Sequence, residues 1–565
     1  MTRHKKPLAA AGVAALWLAS SAPLPAVAIP RPSFSGADEP FSFRLPFQPV
    51  LSESGRTFGA GIFSQAIPGE QKSGDPSGSQ AAGTGPKKKT WRAWLELGGF
   101  LTYSTISYWS RAAFPEDWQF QLKFDVQIKR FFMLEGWRFD SNNFKLNWTH
   151  SMAGGIYYEL ARTNHLSWLQ SWLMAVAGST YWEGLVEWKE VISVNDQIMT
   201  GIGAFATGEP WYDVGRYLSH QSGFLLQALS FINPLVKFNG WLDRKDPAAK
   251  SYVPPGWHDF SLFAGARNLS TAGQAAETGA YFGLRTRILG IPEYGKPGDI
   301  QETLTDTYWS DISVDYTVRN GHADETNLYM GAVPWGYFRQ KIGDDLQGYS
   351  LTVGLGSFFE YFKKRSVDSF DSDPVPVNQG IDLHLERPRD FTDKLAILHI
   401  AGPILDWTVF RRGLKLRTVA EAYFDFALVN SYALNAYSAL HHSLPDDTID
   451  GMKTTILYYG YYYAFGGTFS GQTNLEWQGL RARALASFGA WSSADFLDRF
   501  KNQVTNNAHL DDNRFRYLLG AGWKVPHAPL ELFVSFEGIR RWGRLLEVRV
   551  HRLEKRTFAG LEFSF

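Results

Sequence analysis

Two periodicities divide the chain. From Thr90 to about Asp243 apolar positions recur at the three- and four-residue spacing of helices, and after about Pro254 they alternate with a period of two down to the last residue. In DISVDYTVR, Ile312, Val314, Tyr316 and Val318 alternate with Asp311, Ser313, Asp315, Thr317 and Arg319. In LKLRTVAEAYFDF, Leu414, Leu416, Ala420, Ala422, Phe424 and Phe426 alternate with Lys415, Arg417, Glu421, Tyr423 and Asp425. AYFGLRTRIL and LRARALASF repeat the pattern, with Arg285, Arg287, Arg481 and Arg483 on the polar face. Each strand therefore has one greasy and one charged face, as both a soluble β-sandwich and a transmembrane β-barrel require.

The end of the chain and the spacing of the strands favour the barrel. In FAGLEFSF, Ala559, Leu561, Phe563 and Phe565 share one face and the chain stops on an aromatic, which resembles the terminal strand that the assembly machinery of bacterial outer membranes recognises. Alternating runs near His258, Ala280, Tyr308, Asn327, Tyr349, Leu395, Leu414, Thr454, Leu475, Arg514, Glu531 and Lys555 predict about twelve strands, an even number that suits a barrel with both ends in the periplasm. Connections alternate in length. Those after the fifth, seventh and ninth strands are long, and those near GDD, RRG, SGQ and PHAP are short; GIPEYGKPGDIQETLTD after the second strand breaks the rule. The fold class expected is an α+β membrane protein, an antiparallel transmembrane β-barrel at 251–565 preceded by a helical domain at 90–250.

The N-terminus sets the compartment. MTRHKK is a basic start, PLAAAGVAALWLASSAP an apolar run, and Ala26, Val27 and Ala28 the small-x-small site of a signal peptidase, so residues 1–28 read as a cleaved signal peptide and the mature chain starts at Ile29. Residues 29–89, ending GEQKSGDPSGSQAAGTGPKKK, are rich in Pro, Gly and Ser and read as a flexible linker. Cysteine is absent, which excludes disulfides and thiolate metal sites. Lys+Arg and Asp+Glu balance at 56 each, so no nucleic-acid partner is implied. The aromatic share is 15%, with 21 Trp, 25 Tyr and 41 Phe, and such residues concentrate in cores and membrane-interface belts. The localisation expected is the outer membrane of a Gram-negative cell envelope, with lipid as one partner and the barrel assembly machinery, through Phe565, as another.

The helical block carries the candidate chemistry. A first helix is expected from Thr149 as N-cap to Arg162, a second from Ser167 over about 24 residues, and a third from Ser193, with Asp196 at its third position in a variant capping box. Polar or small residues form a stripe on each: His150, Gly154, Tyr157 or Tyr158 and Ala161; Ser171, Ala175, Ser179, Glu183 and Glu187; Asp196, Thr200, Gly203 and Thr207. If the stripes face one another, carboxylates, a histidine and hydroxyls converge where they must be paired, protonated or ligated.

GWRFDSNNFKLNWTHSMAGGIYYELAR, GSTYWEGLVEWKE and SVNDQIMTGIGAFATGE resemble the bacterial envelope family called domain of unknown function 3943. The resemblance covers roughly Thr90 to Asp243. It picks out Trp137, Asp140, Phe144, Asn147, His150, Gly154, Tyr157, Tyr158, Ala161 and Arg162, then Gly178, Ser179, Trp182, Glu183, Glu187, Ser193, Asn195, Asp196, Gly203, Gly208 and Glu209. The family pattern has Pro after the histidine and Leu after the aspartate, where this chain has Ser151 and Gln197. The resemblance implies a domain and no activity.

Two functional readings follow. In one, His150 is a general base or metal ligand, Glu183 and Glu187 are acids or ligands, and Asn195 and Asp196 orient them, with Asp140, Asn147, Arg162 and Ser179 in support; such a set suits a lipid-directed hydrolase or a ligand-binding protein. HExxH, a paired histidine and GxSxG are all missing, so no cofactor is expected and His150, Glu183 and Glu187 are only weak metal candidates. In the other reading, which the sequence favours, the same residues form a buried network locking the helices together in an envelope protein that transports, gates or scaffolds. The charged strand faces line a pore or interlock to close it. YYGYYYAF, Tyr458 to Phe465, reads as strand plus aromatic girdle. A bundle of helices each about 10 Å across does not fit a filled lumen, so the domain is expected beneath the barrel as a periplasmic cap.

Overall fold

The computed structural model describes residues 86–111, 120–133, 136–140, 144–221, 229–246, 255–271, 276–291, 293–364, 393–430, 433, 461–494, 497 and 510–564. The expected signal peptide, all but the last residues of the expected linker, Thr454 and Phe565 lie outside the described residues. Among the described residues six helices of nine or more residues come first: α1 (Thr90–Arg111), α2 (Phe124–Phe132), α3 (Phe144–Arg162), α4 (Trp168–Tyr181), α5 (Gly203–Ser219) and α6 (Pro234–Leu242). Two short strands between them, β1 (Trp137–Arg138) and β2 (Ile192–Ser193), pair in parallel.

The period-two half forms β3 (Trp257–Thr271), β4 (Glu277–Leu289), β5 (Gly298–Leu304), β6 (Trp309–Arg319), β7 (His322–Ile342), β8 (Gly348–Lys364), β9 (Asp393–Arg411), β10 (Leu414–Asn430), β11 (Tyr461–Trp477), β12 (Leu480–Ser493), β13 (Leu510–Lys524), β14 (Leu530–Leu545) and β15 (Val548–Ser564). Apart from β5 these pair antiparallel in chain order, and β15 pairs back onto β3, which closes a twelve-stranded barrel. β5 explains the connection that broke the short-turn rule: it lies inside that connection and pairs with the second half of β7, while β6 pairs with the first half. SGQ is not a turn. Ser470 to Gln472 lie within β11, and the chain reverses at Gln478 and Gly479, whose φ values of 48° and 82° form the left-handed pair that a two-residue hairpin needs.

The charged strand faces interlock across the lumen. Arg514 on β13 donates to Glu360 on β8 at 2.7 Å, Lys364 on β8 pairs with Glu554 on β15, and Arg541 on β14 pairs with Asp393 on β9. None of these strands is a ladder neighbour of its partner. At one end Phe362, Leu395, Ile397, Tyr462, Trp491 and Leu545 form an apolar layer, and at the other Tyr294, Trp309, Phe338, Phe358 and Tyr423 form a second. A cavity bordered by Phe362 and lined by charged residues such as Arg483, Arg514, Glu531 and Glu562 leaves about 80 Å³ for water-sized occupants.

The opposite strand faces point outward, and the helices cover part of them. Phe260, Thr286, Ile312, Met330, Phe359, Leu398, Phe426 and Phe465 stand opposite one another in register, one per strand, across β3, β4 and β6 to β11. In the next outward row Val314, Leu328, Tyr361, Ala396, Leu428 and Tyr463 do the same. Onto these rows pack Phe139, Phe144, Trp148, Met199, Val214 and Tyr217 from the helical block. Trp148 stacks on Tyr361 with centroids 4.3 Å apart, Tyr217 on Phe260 at 4.6 Å, and Phe139 meets Tyr463 at 4.7 Å. The expected cap beneath the barrel is therefore corrected: the helices lie along its outer wall, because their aromatic side chains match the apolar outward rows. The girdle reading of YYGYYYAF changes with it. Tyr461 and Tyr463 are buried under helices and Tyr462 turns into the lumen to donate to Asp512, while Tyr458 to Gly460 lie outside the described residues.

Helix ends follow local chemistry. Ser167 caps α4 through a complete capping box, and Ser193 accepts from the Asp196 amide, both as expected. α3 instead starts at Phe144, a turn before Thr149, whose hydroxyl donates back to the Leu146 carbonyl. The second helix stops short of 24 residues because it widens into a π turn at Trp182–Val186. A second π turn, Gln197–Ile202, precedes α5 and brings the Thr200 carbonyl so near α3 that a Cβ on Gly154 would lie 2.0 Å from its oxygen. Backbone cannot yield as a side-chain tip does, so Gly154→Ala costs about 3 kcal/mol, measured as a lower denaturant midpoint of the helical signal.

Candidate functional site

Asn195 is the centre of the polar cluster. The start of the third helical segment places it on the strand side of α3, where its amide nitrogen lies 2.9 Å from Asp140 Oδ1, 2.8 Å from Asn147 Oδ1 and 3.0 Å from Asp196 Oδ1. Its Oδ1 accepts from the Asp140 amide and the Ser193 hydroxyl, both at 2.9 Å. The barrel completes the cluster. Asn147 Nδ2 donates to Tyr463 Oη at 2.8 Å and also to Tyr461 Oη, and Tyr463 Oη donates to Asp140 Oδ1 at 3.0 Å. His150 Nδ1 forms an ion-pair contact of 2.9 Å with Asp196 Oδ1.

Burial governs the charges. It pushes the Asp140 carboxyl up to about 8, helped by the nearby Asp196. Burial alone would lower the His150 imidazole, but the charges of Asp196 and Asp140 outweigh it and hold the ring above its ordinary value. Loss of water pushes both Glu183 and Glu187 well above the carboxylate range, with the charge of Glu187 adding at Glu183 and that of Glu190 at the half-buried Glu187. Glu183 accepts from the Ser193 amide at 3.1 Å, and Glu187 from the Trp182 indole at 2.7 Å.

The remaining candidates go elsewhere. Arg162 forks onto Glu209, with Nη2 2.7 Å from Oε1 and Nε 2.8 Å from Oε2, and Tyr158 donates to the same carboxylate at 2.5 Å. That carboxyl is held below its usual value by Arg162 in spite of burial. Ser179 is buried on α4 and joins neither group. Arg130 was not foreseen: fully buried, it donates to the carbonyls of Glu183, Gly184, Glu187 and Glu190 and so holds the π turn and the loop after it. Its only signal in the sequence is a basic residue on a short amphipathic helix. Glu159 was also missed; it is completely buried and accepts from Asn233 at 2.8 Å.

Chemically, His150 and Asp196 make an oriented base, but among the described residues no hydroxyl is hydrogen-bonded to His150 as a nucleophile and no three His, Asp or Glu side chains are grouped to hold a metal. The hydrogen bonds of the cluster run among its own members and to two barrel tyrosines. The arrangement is a joint.

Among solved structures, the translocator domain of the autotransporter NalP from Neisseria meningitidis is 9% identical, with 58% of this chain and 95% of that one covered and a TM-score of 0.19. A Pseudomonas aeruginosa FadL homologue is 10% identical over 59% and 94%, with a TM-score of 0.22. OmpT, an outer-membrane protein of Vibrio cholerae, is 6% identical over 55% and 100%, also at 0.22. At such scores the likeness adds nothing to the strand pairing, which by itself establishes the closed barrel. No curated protein matches the chain. Residues 136–235, which carry Asp140, Asn147, His150, Arg162, Glu183, Asn195, Asp196 and Glu209, match the family described as Domain of unknown function (DUF3943).

Proposed function

We propose that the chain is an exported outer-membrane protein that works as a closed scaffold, a barrel platform holding the helical domain on its outer wall. The observation that carries this reading is the lumen: ion pairs span it between strands that are not neighbours, and apolar clusters pack at one end and against the β4–β10 side of the other. Signal-peptide cleavage after Ala28 and delivery to the barrel assembly machinery through Phe565 belong to the same proposal. The polar cluster supports a scaffold better than a hydrolase, because its groups join helix to strand and offer His150 no nucleophile among the described residues. In planar bilayers the purified protein is expected to give no steady conductance. A stable open channel at neutral pH contradicts the scaffold reading and makes the lumen a transport path.

A further inference from the structure

The side of the helical layer turned away from the barrel is apolar. On α1, Trp91 is 75% exposed, Tyr103 73% and Ile106 65%, and on α4 and the π turn after it Leu169, Leu173 and Leu185 are exposed as well. Two charged residues of α1 turn the other way: Arg92 forks onto Asp243 at 2.6 and 3.1 Å, and Glu96 accepts from Asn164 at 2.7 Å and Asn239 at 3.1 Å. Hydroxyls on the same helix donate back to their own backbone, Thr102 to the Gly98 carbonyl and Thr105 to the Leu101 carbonyl, both at 2.7 Å. That is how a helix satisfies a hydroxyl when water is absent. A water-facing domain rarely leaves so continuous a greasy surface uncovered.

The position of the layer says what covers that surface. The row on which the helices sit begins at Phe260, near the start of β3, and reaches Phe465, near the start of β11. Alternate strands run in opposite directions, so these are opposite ends of the barrel, and the layer climbs the wall between them. Beside it the same wall carries exposed apolar residues such as Phe469, Leu519 and Val534, the surface a membrane barrel gives to lipid. We infer that the helical layer is embedded in the bilayer, with the outer faces of α1 and α4 against lipid acyl chains and its inner face replacing lipid on the barrel. No helix among the described residues is long and apolar enough to cross a membrane alone; the layer is held at depth by the wall it packs on. The inference rests on the barrel's lying in a membrane.

The chain has no cysteine, so single spin labels report cleanly. In the full-length protein in phosphatidylethanolamine and phosphatidylglycerol bilayers, labels are placed at Tyr103→Cys and Ile106→Cys on α1, at Leu519→Cys on the wall, and at Asp344→Cys in the β7–β8 turn as a water reference. Collisions with lipid-soluble oxygen and with a water-soluble nickel chelate are then compared. The expected result is that both α1 labels behave like Leu519→Cys, with chelate collisions several-fold below those at Asp344→Cys and high oxygen collisions. If the α1 labels meet chelate while Leu519→Cys does not, the inference falls and the membrane barrel stands. Low collisions with both reagents at α1 also overturn it, because a second copy or another protein then covers the face. If Leu519→Cys itself meets chelate, the outer-membrane reading fails first.

Discussion

Replacing Arg162 by Ala is expected to destabilise the helical layer by about 3–5 kcal/mol, because it strands a fully buried glutamate without its counter-charge. Glu209 is 0% exposed, and both its oxygens are engaged by the Arg162 fork. The check is a urea titration of the inserted protein, following the near-UV signal of the helical tryptophans. The double replacement Arg162→Met with Glu209→Leu recovers most of the loss, since no buried charge is then left over. The pair also fixes the acid behaviour of this part of the layer. The folded carboxyl of Glu209 lies below its ordinary 4.5, so its contribution is present above that pH and is lost as pH falls through the folded value.

Asn195→Leu is expected to release the helices from the strands. Its amide serves Asp140, Asn147 and Asp196 together, and each buried polar group left unpaired costs about 1–3 kcal/mol. The same joint responds to pH in the opposite sense from Arg162 and Glu209. Asp140 titrates at about 8 in the folded chain against 3.8 ordinarily, so between those values the folded state holds a proton that the unfolded state has lost, and stability falls as pH rises through that window. His150, also raised, adds stability below its ordinary 6.5 that disappears as pH rises through the folded value. The urea midpoint at pH 5 should therefore exceed that at pH 9, and Asp140→Asn should reduce the difference, with His150, Glu183 and Glu187 carrying the rest. A midpoint that climbs from pH 5 to pH 9 is incompatible with this joint.

The barrel was legible in the sequence because a strand with one face in a charged lumen and one face in hydrocarbon must alternate, and the chain does so from β3 to β15. β5 was not, since it lies in a connection rich in Gly and Pro whose pairing is set by the length of β7. The position of the helices was illegible for a physical reason. Phe359, Tyr361, Phe426 and Tyr463 look the same in sequence whether lipid or a helix covers them, and only the partner aromatics Trp148, Phe144 and Phe139 decide it. For the site, the helix stripes brought His150, Glu183 and Asp196 into view and the family resemblance added Asp140, Asn147 and Asn195; the structure joins all six, Glu183 through the Ser193 amide. The stripes could not show that Tyr461 and Tyr463 complete the cluster, as those residues arrive from a strand three hundred positions away. Nor could they separate Arg162, whose partner Glu209 lies on α5.

The packing of helices on the outside of the barrel wall is the claim on which the rest depends, and one pair of cysteine variants tests it. Tyr361 faces outward and stacks on Trp148, while its neighbour Phe362 faces the lumen. In the native membrane, a short bifunctional thiol reagent, which spans the room left by the two stacked rings, should join Trp148→Cys to Tyr361→Cys and should leave Trp148→Cys with Phe362→Cys unjoined. Cross-linking of the Phe362 pair, or of neither pair in folded protein, would show that the helices do not lie on the outer wall.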